Sequence, residues 1–115
     1  GNTALGMGAM VSNTTSRNNT AIGAGAMTST TGGANTVIGS GALSTGTGGF
    51  NTVTGVNAMQ NPTTADSNSA YGYQALRLVQ AGNNNTITGF NAGENIVNGS
   101  NNVAVGSRAG PTGDF

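Results

Sequence analysis

Asp66, Glu94 and Asp114 are the only acidic residues in this 115-residue chain. Paired carboxylates cleave glycosides by acid–base or nucleophilic chemistry. Asp66 and Glu94 are 28 positions apart, nearly two units of the repeat described below. At ~4.8 Å per stacked layer that is roughly 10 Å, compatible with an inverting pair. Nothing else supports such a site. Each carboxylate falls in a different polar connector, and the chain has no His or Cys to act as base, nucleophile or metal ligand. Solvated surface carboxylates are the better reading. The triplets Gly6–Gly8, Gly23–Gly25 and Gly39–Gly41 lack the third glycine and the following apolar helix of a dinucleotide fingerprint. Calcium-binding nonapeptide repeats need recurring Asp, and only Asp66 and Asp114 are present. Tyr71 and Tyr73 straddle Gly72 on one face, and a core or interface role suits them better than a sugar-stacking platform. The sequence therefore predicts a protein that is not an enzyme, with no catalytic residue, no cofactor and no metal.

Arg17, Arg77 and Arg108 balance the three acids to a net charge of zero. That removes the electrostatic footprint of a nucleic-acid binder. No run of about 18 apolar residues predicts insertion into a membrane as a helix. Without Cys, a disulfide framework is excluded. The sequons at Asn13, Asn18, Asn84 and Asn98 arise by chance in so Asn- and Thr-rich a chain.

What organises the chain is a repeated phrase: "NTALGMGAM" from Asn2, "NTAIGAGAM" from Asn19, "NTVIGSGAL" from Asn35. Its central glycine recurs at Gly6, Gly23, Gly39, Gly55, Gly72, Gly89 and Gly106, every 16 or 17 residues. Four positions earlier stands Asn2, Asn19, Asn35, Asn51, Asn68, Asn85 or Asn102. Three positions later stands Ala9, Ala26, Ala42, Ala58, Ala75, Ala92 or Ala109. A fixed period marks a repeat architecture, and one this short holds a single coil of short strands and turns. The expected fold is all-β: a parallel β-solenoid or β-roll of about seven 16–17-residue coils, filling residues 1–115 as one repeat domain about 35 Å long. Gly1 and Phe115 fall mid-phrase and no end cap is visible, so the expectation is a segment of a longer fibre.

Two neighbouring columns are apolar. One is Ala4, Ala21, Val37, Val53, Ala70, Ile87 and Ala104. The next is Leu5, Ile22, Ile38, Thr54, Tyr71, Thr88 and Val105. Adjacent strand residues face opposite ways, so both faces call for burial, one inside the coil and one against another chain. Which is which is left open. A ring of identical chains, most simply a homotrimer, covers the second face. The glycine column supplies backbone freedom or close approach of chains. The asparagine column suits turns with left-handed dihedrals and stacks its amides as a ladder. Thr-x-Thr occurs only at Thr52–Thr54 and Thr86–Thr88, which speaks against regular threonine ranks. "YQALRLVQAG" from Tyr73 is the one stretch with helical character. An ordinary coil with Leu78 and Val79 turned inward suits it better. Thr54, Thr88, Gly93 and Gly110 replace larger residues and predict looser or differently turned later coils.

"NNTAIGAGAM", "ANTVIGSGAL", "NSAYGYQAL" and "NNVAVGSRAG" resemble the NTAIG-x-x-AL repeats of phage tail-fibre and related fibrous proteins. They are also similar to the SVAIG-type head repeats of trimeric autotransporter adhesins. The resemblance covers all seven units and implies a left-handed parallel β-roll in a homotrimer. It further implies a stalk on a virion or at the cell surface, extracellular, holding a receptor-binding tip and joined to other fibre proteins. An adhesin head that binds a host-surface glycan, receptor or matrix protein is the alternative, and an ice-binding solenoid a remote one.

Overall fold

The computed structural model describes residues 1–112; Asp114, and with it one candidate carboxylate, lies outside them. The described chain is all-β, without helix. Seven three-residue strands stack in chain order into one parallel sheet: β1 (Thr3–Leu5), β2 (Thr20–Ile22), β4 (Thr36–Ile38), β6 (Thr52–Thr54), β7 (Ser69–Tyr71), β8 (Thr86–Thr88) and β9 (Val103–Val105). Each residue pairs with its counterpart in the next phrase, as in Ala21 with Val37 and Val37 with Val53. Two two-residue strands, β3 (Ser29–Thr30) and β5 (Thr45–Gly46), pair on the opposite side. The molecule measures 37 × 20 × 16 Å, an elongated β-solenoid close to the length read from the repeat.

The phrase T-[AVI]-[ILTYV] makes a strand because it alternates between two environments. The middle residue points inward: Ala21, Val37, Val53, Ala70, Ile87 and Ala104 are buried, though Ala4 in the first coil is exposed. This decides between the two columns. The Ala/Val/Ile column lies inside the coil, and the Leu/Ile/Tyr column lies on its outer surface.

The interior is completed by Met27, Leu43, Met59 and Leu76, each fully buried four positions after its phrase glycine. All four adopt left-handed φ, between 43° and 51°. That costs roughly 1–2 kcal/mol per residue. Burying a Met or Leu side chain returns about 1.5–3 kcal/mol, so the corner holds. In the sixth coil Gly93 takes this position (φ 70°). A Cβ there would stand 3.1 Å from Ile87 and 3.2 Å from Leu76. The larger Ile87 has filled the space that the missing side chain leaves, so this coil is not loosely packed, contrary to expectation. Thr54 and Thr88 face outward and leave the interior unaffected.

"YQALRLVQAG" forms no helix, because Gln74 and Leu76 are left-handed. Val79 is buried and Leu78 is exposed. The expectation of two inward residues is met by Val79 alone, because the tight turn closed by the Val79 N–H on Leu76 O leaves Leu78 on the outside. The same connectors explain the uneven period. In two of the longer coils a pair of consecutive amides shares one carbonyl: Thr63 and Thr64 both donate to Gln80 O, and Gln80 and Ala81 both donate to Val97 O. The extra residue is taken up there, as in a bulge, and the strand register is undisturbed.

The phrase glycine is the tightest point of the stack. Its φ lies between 125° and 145° at all seven positions. A Cβ on Gly23 would meet the backbone carbonyl of Gly39 at 2.6 Å. Backbones thus approach closely between successive coils of the one chain. Gly23→Ala is expected to lower stability by several kcal/mol and to disrupt its coil. Gly8→Ala, at φ 70° with open space around it, is expected to cost only about 1 kcal/mol. Thermal and urea melts of the two variants provide the check.

Candidate functional site

The recurrent residues of the phrase serve the stack itself. Gly23, Gly39, Gly55 and Gly72 each open a turn that Ala26, Ala42, Ala58 or Ala75 closes, the alanine N–H donating to the glycine carbonyl at 3.2–3.3 Å. The residue two after the glycine has positive φ, as Gly25 (67°) and Asn57 (55°) show, which is the feature of a type II turn. The alanine side chain is buried, and its carbonyl accepts from the coil before: Ala42 O from the Met27 N–H, and Ala58 O from the Leu43 N–H.

Asn19, Asn35, Asn51 and Asn68 form the central part of a buried ladder. The N–H of Asn35 donates to Asn19 Oδ1 at 2.8 Å, Asn51 to Asn35 at 2.9 Å, and Asn68 to Asn51 at 2.9 Å. Asn2, Asn85 and Asn102 extend it at both ends. Each amide nitrogen also donates to the connector of a neighbouring coil, as Asn51 Nδ2 does to Ala65 O at 2.9 Å. The ladder matches expectation, but the dihedrals do not. The left-handed residue is the one before each asparagine: Asn18, Ala34, Phe50, Ser67, Asn84 and Asn101.

None of these residues is placed to bind a ligand. Among the described residues no three His, Cys, Asp or Glu side chains cluster. Asp66 and Glu94 are both exposed, and Asp66 Oδ1 accepts the Gly49 N–H at 2.6 Å. What the molecule presents outward is the face of its long sheet. One rank carries the hydroxyls of Thr3, Thr20, Thr36, Thr52, Ser69 and Thr86 in register. The next is the Leu5–Val105 column, with Leu5, Ile38, Tyr71 and Val105 exposed. Beyond the glycines, Met7, Val56, Tyr73 and Phe90 are exposed too, and the Tyr73 and Phe90 rings stack at 5.4 Å with planes 11° apart. Tyr71 and Tyr73 are thus surface residues of the single chain. A regular threonine rank does exist, contrary to the sequence reading: the hydroxyl column is set by the first strand position alone and needs no Thr-x-Thr.

A second surface feature sits at the corner that leads into the ladder. Two positions before the asparagines stand Arg17, Gly33, Gly49, Asp66, Asn83 and Ser100. Gly33 and Gly49 leave a depression of about 560 Å³ lined by Arg17, Asn18, Thr47, Phe50 and Asp66. No family model, no curated protein and no solved structure matches this chain.

Replacing Asn51 by Leu keeps the branching of the side chain but leaves the buried Asn68 N–H without its Oδ1 acceptor and the Ala65 carbonyl without its Nδ2 donor. At about 1–3 kcal/mol per unsatisfied group, Asn51→Leu is expected to cost several kcal/mol. Asn2→Leu removes the part-buried acceptor for the Asn19 N–H and an exposed donor to Ser16 O, and is expected to cost about 1 kcal/mol. Chemical denaturation of both variants reads the difference.

Proposed function

We propose that this chain is a structural rod, a non-enzymatic stalk segment that assembles as a parallel homotrimer in an extracellular or virion fibre. The observation that carries the reading is the uncovered apolar face running the length of the sheet. Leu5, Met7, Ile38, Val56, Tyr71, Tyr73, Phe90 and Val105 are each at least 40% exposed in the single chain. An apolar surface of that extent marks an interaction site. The face carries no charge, so identical copies meet without like-charge repulsion. Parallel copies place equivalent residues at equal heights around an axis, which closes the assembly. The chain's own interior is thin and rich in Ala and Gly, and a second buried face supplies what small domains lack.

One observation favours a second reading. Five threonines and a serine in one flat rank, repeated at strand spacing, suit the ordering of water at an ice surface. This reading requires the face to stay open, so it and assembly exclude each other on the same face.

Sedimentation equilibrium separates them. The structural reading expects a trimer, and Ile38→Asp, which puts a carboxylate on the face, is expected to yield a folded monomer with unchanged β signal in circular dichroism. A wild-type monomer that shows thermal hysteresis would favour the ice-binding reading. A wild-type monomer without it would defeat both.

A further inference from the structure

The corner depression has properties that the stack does not require. Along this column a side chain of one coil accepts the main-chain N–H of the coil before: Ser100 Oγ from Asn83 at 2.9 Å, Asn83 Oδ1 from Asp66 at 2.7 Å, and Asp66 Oδ1 from Gly49 at 2.6 Å. The ladder stops at Gly49 and Gly33, which have no side chain to offer. Among the described residues the N–H groups of Gly33 and Arg17 are consequently left without an acceptor. Without side chains at Gly33 and Gly49 the surface dips between the coils of Arg17 and Asp66, and the two residues with unpaired N–H groups are among those lining the depression. The Arg17 guanidinium stands at one end and the Asp66 carboxylate at the other. Their backbones are three coils apart, roughly 14 Å at ~4.8 Å per coil, and the Asp66 carboxylate reaches back to the Gly49 N–H. Asn18 carries a further exposed amide beside Arg17, and Thr47 lines the trough.

Phe50 forms the wall. It is 72% exposed and left-handed, with φ 59°. That backbone conformation belongs to its whole column, whose other members are Asn18, Ala34, Ser67, Asn84 and Asn101, so the exposed ring is the one large apolar side chain at this position. The depression holds about 560 Å³ and is largely open to solvent.

We infer that the trough between Arg17 and Asp66 binds an acidic oligosaccharide. A sugar carboxylate pairs with Arg17 in bidentate fashion and reaches the free N–H donors. Ring oxygens and hydroxyls continue along the floor, and the apolar C–H face of a ring packs on Phe50. Hydroxyls at the far end donate to the remaining lone pairs of Asp66, which also repels a second acid there. A simple inorganic anion satisfies only the Arg17 end. The inference is independent of the assembly reading, since the trough lies on the corner and not on the apolar face.

The test is calorimetric titration of the full chain in its native oligomeric state with sialyllactose, oligogalacturonate, lactose and a short polyglutamate peptide. At least one acidic sugar is expected to bind, with lactose about tenfold weaker or more, the loss of one charge-assisted pair. Binding is expected to weaken with salt. Arg17→Gln should lower affinity for the acidic sugar about tenfold and flatten its salt dependence. Phe50→Ala should weaken acidic sugar and lactose alike. Arg108→Gln, far from the trough, should change nothing. Arg17 is exposed, so its variant does not put folding at stake. Gly33→Asn, which supplies the missing acceptor and fills the trough, should abolish binding with the β signal in circular dichroism retained. Absence of binding by both acidic sugars, equal binding of lactose, tighter binding of polyglutamate, or full affinity in Arg17→Gln would each overturn the inference. Oligomeric state plays no part in these outcomes.

Discussion

Each coil of this protein is held by having the same residue above and below it at strand spacing. That layer contact is the constraint on which the rest depends. Where backbones press together, only glycine fits: a Cβ on Gly23 would enter the carbonyl of Gly39. Where polar backbone is buried, only a short side chain with both an acceptor and a donor serves, and Asn35 takes the Asn51 N–H while its own amide nitrogen reaches Gly32 and Gly48. Where the interior is thin, alanine closes the turn and one Met or Leu per coil fills the centre. The phrase is bland because every position in it is judged against a copy of itself.

That logic made the fold legible in the sequence. Equal spacing of Gly6 to Gly106 led to a solenoid of the observed strand order and length, and the invariant asparagines led to a ladder. Three features were not legible, each for a physical reason. The left-handed corner at Met27, Leu43 and Met59 runs against the intrinsic preference of those residues, and only burial in the assembled stack reverses it. The filling of the Gly93 space by Ile87 is a trade between two columns, invisible when each is read alone. The depression at Gly33 and Gly49 depends on what those residues lack relative to Asp66, Asn83 and Ser100, and the ladder in that column had to be seen before its gap could be.

The outer surface divides into two regions of different chemistry. The long sheet presents hydroxyls and apolar groups in ranks without charge. The corner column presents Arg17 and Asp66 with donors between them, a short feature confined to a few coils. Regularity serves the first and its interruption creates the second. A stack of seven near-equivalent strands can therefore carry a local property, because one or two substitutions at a connector leave the strand register intact.

The asparagine ladder also has a direction. In each step the earlier coil supplies the acceptor and the later coil the N–H donor, from Asn2 and Asn19 through to Asn85 and Asn102. A chain made from its N-terminus thus presents a finished docking group before the residue that needs it has been synthesised. Partners lie 16 or 17 residues apart, so each closure is local and its loop entropy small. Winding can keep pace with translation, each turn templated by the one laid down before it, and the nascent chain need not wait for its C-terminus before it begins to order.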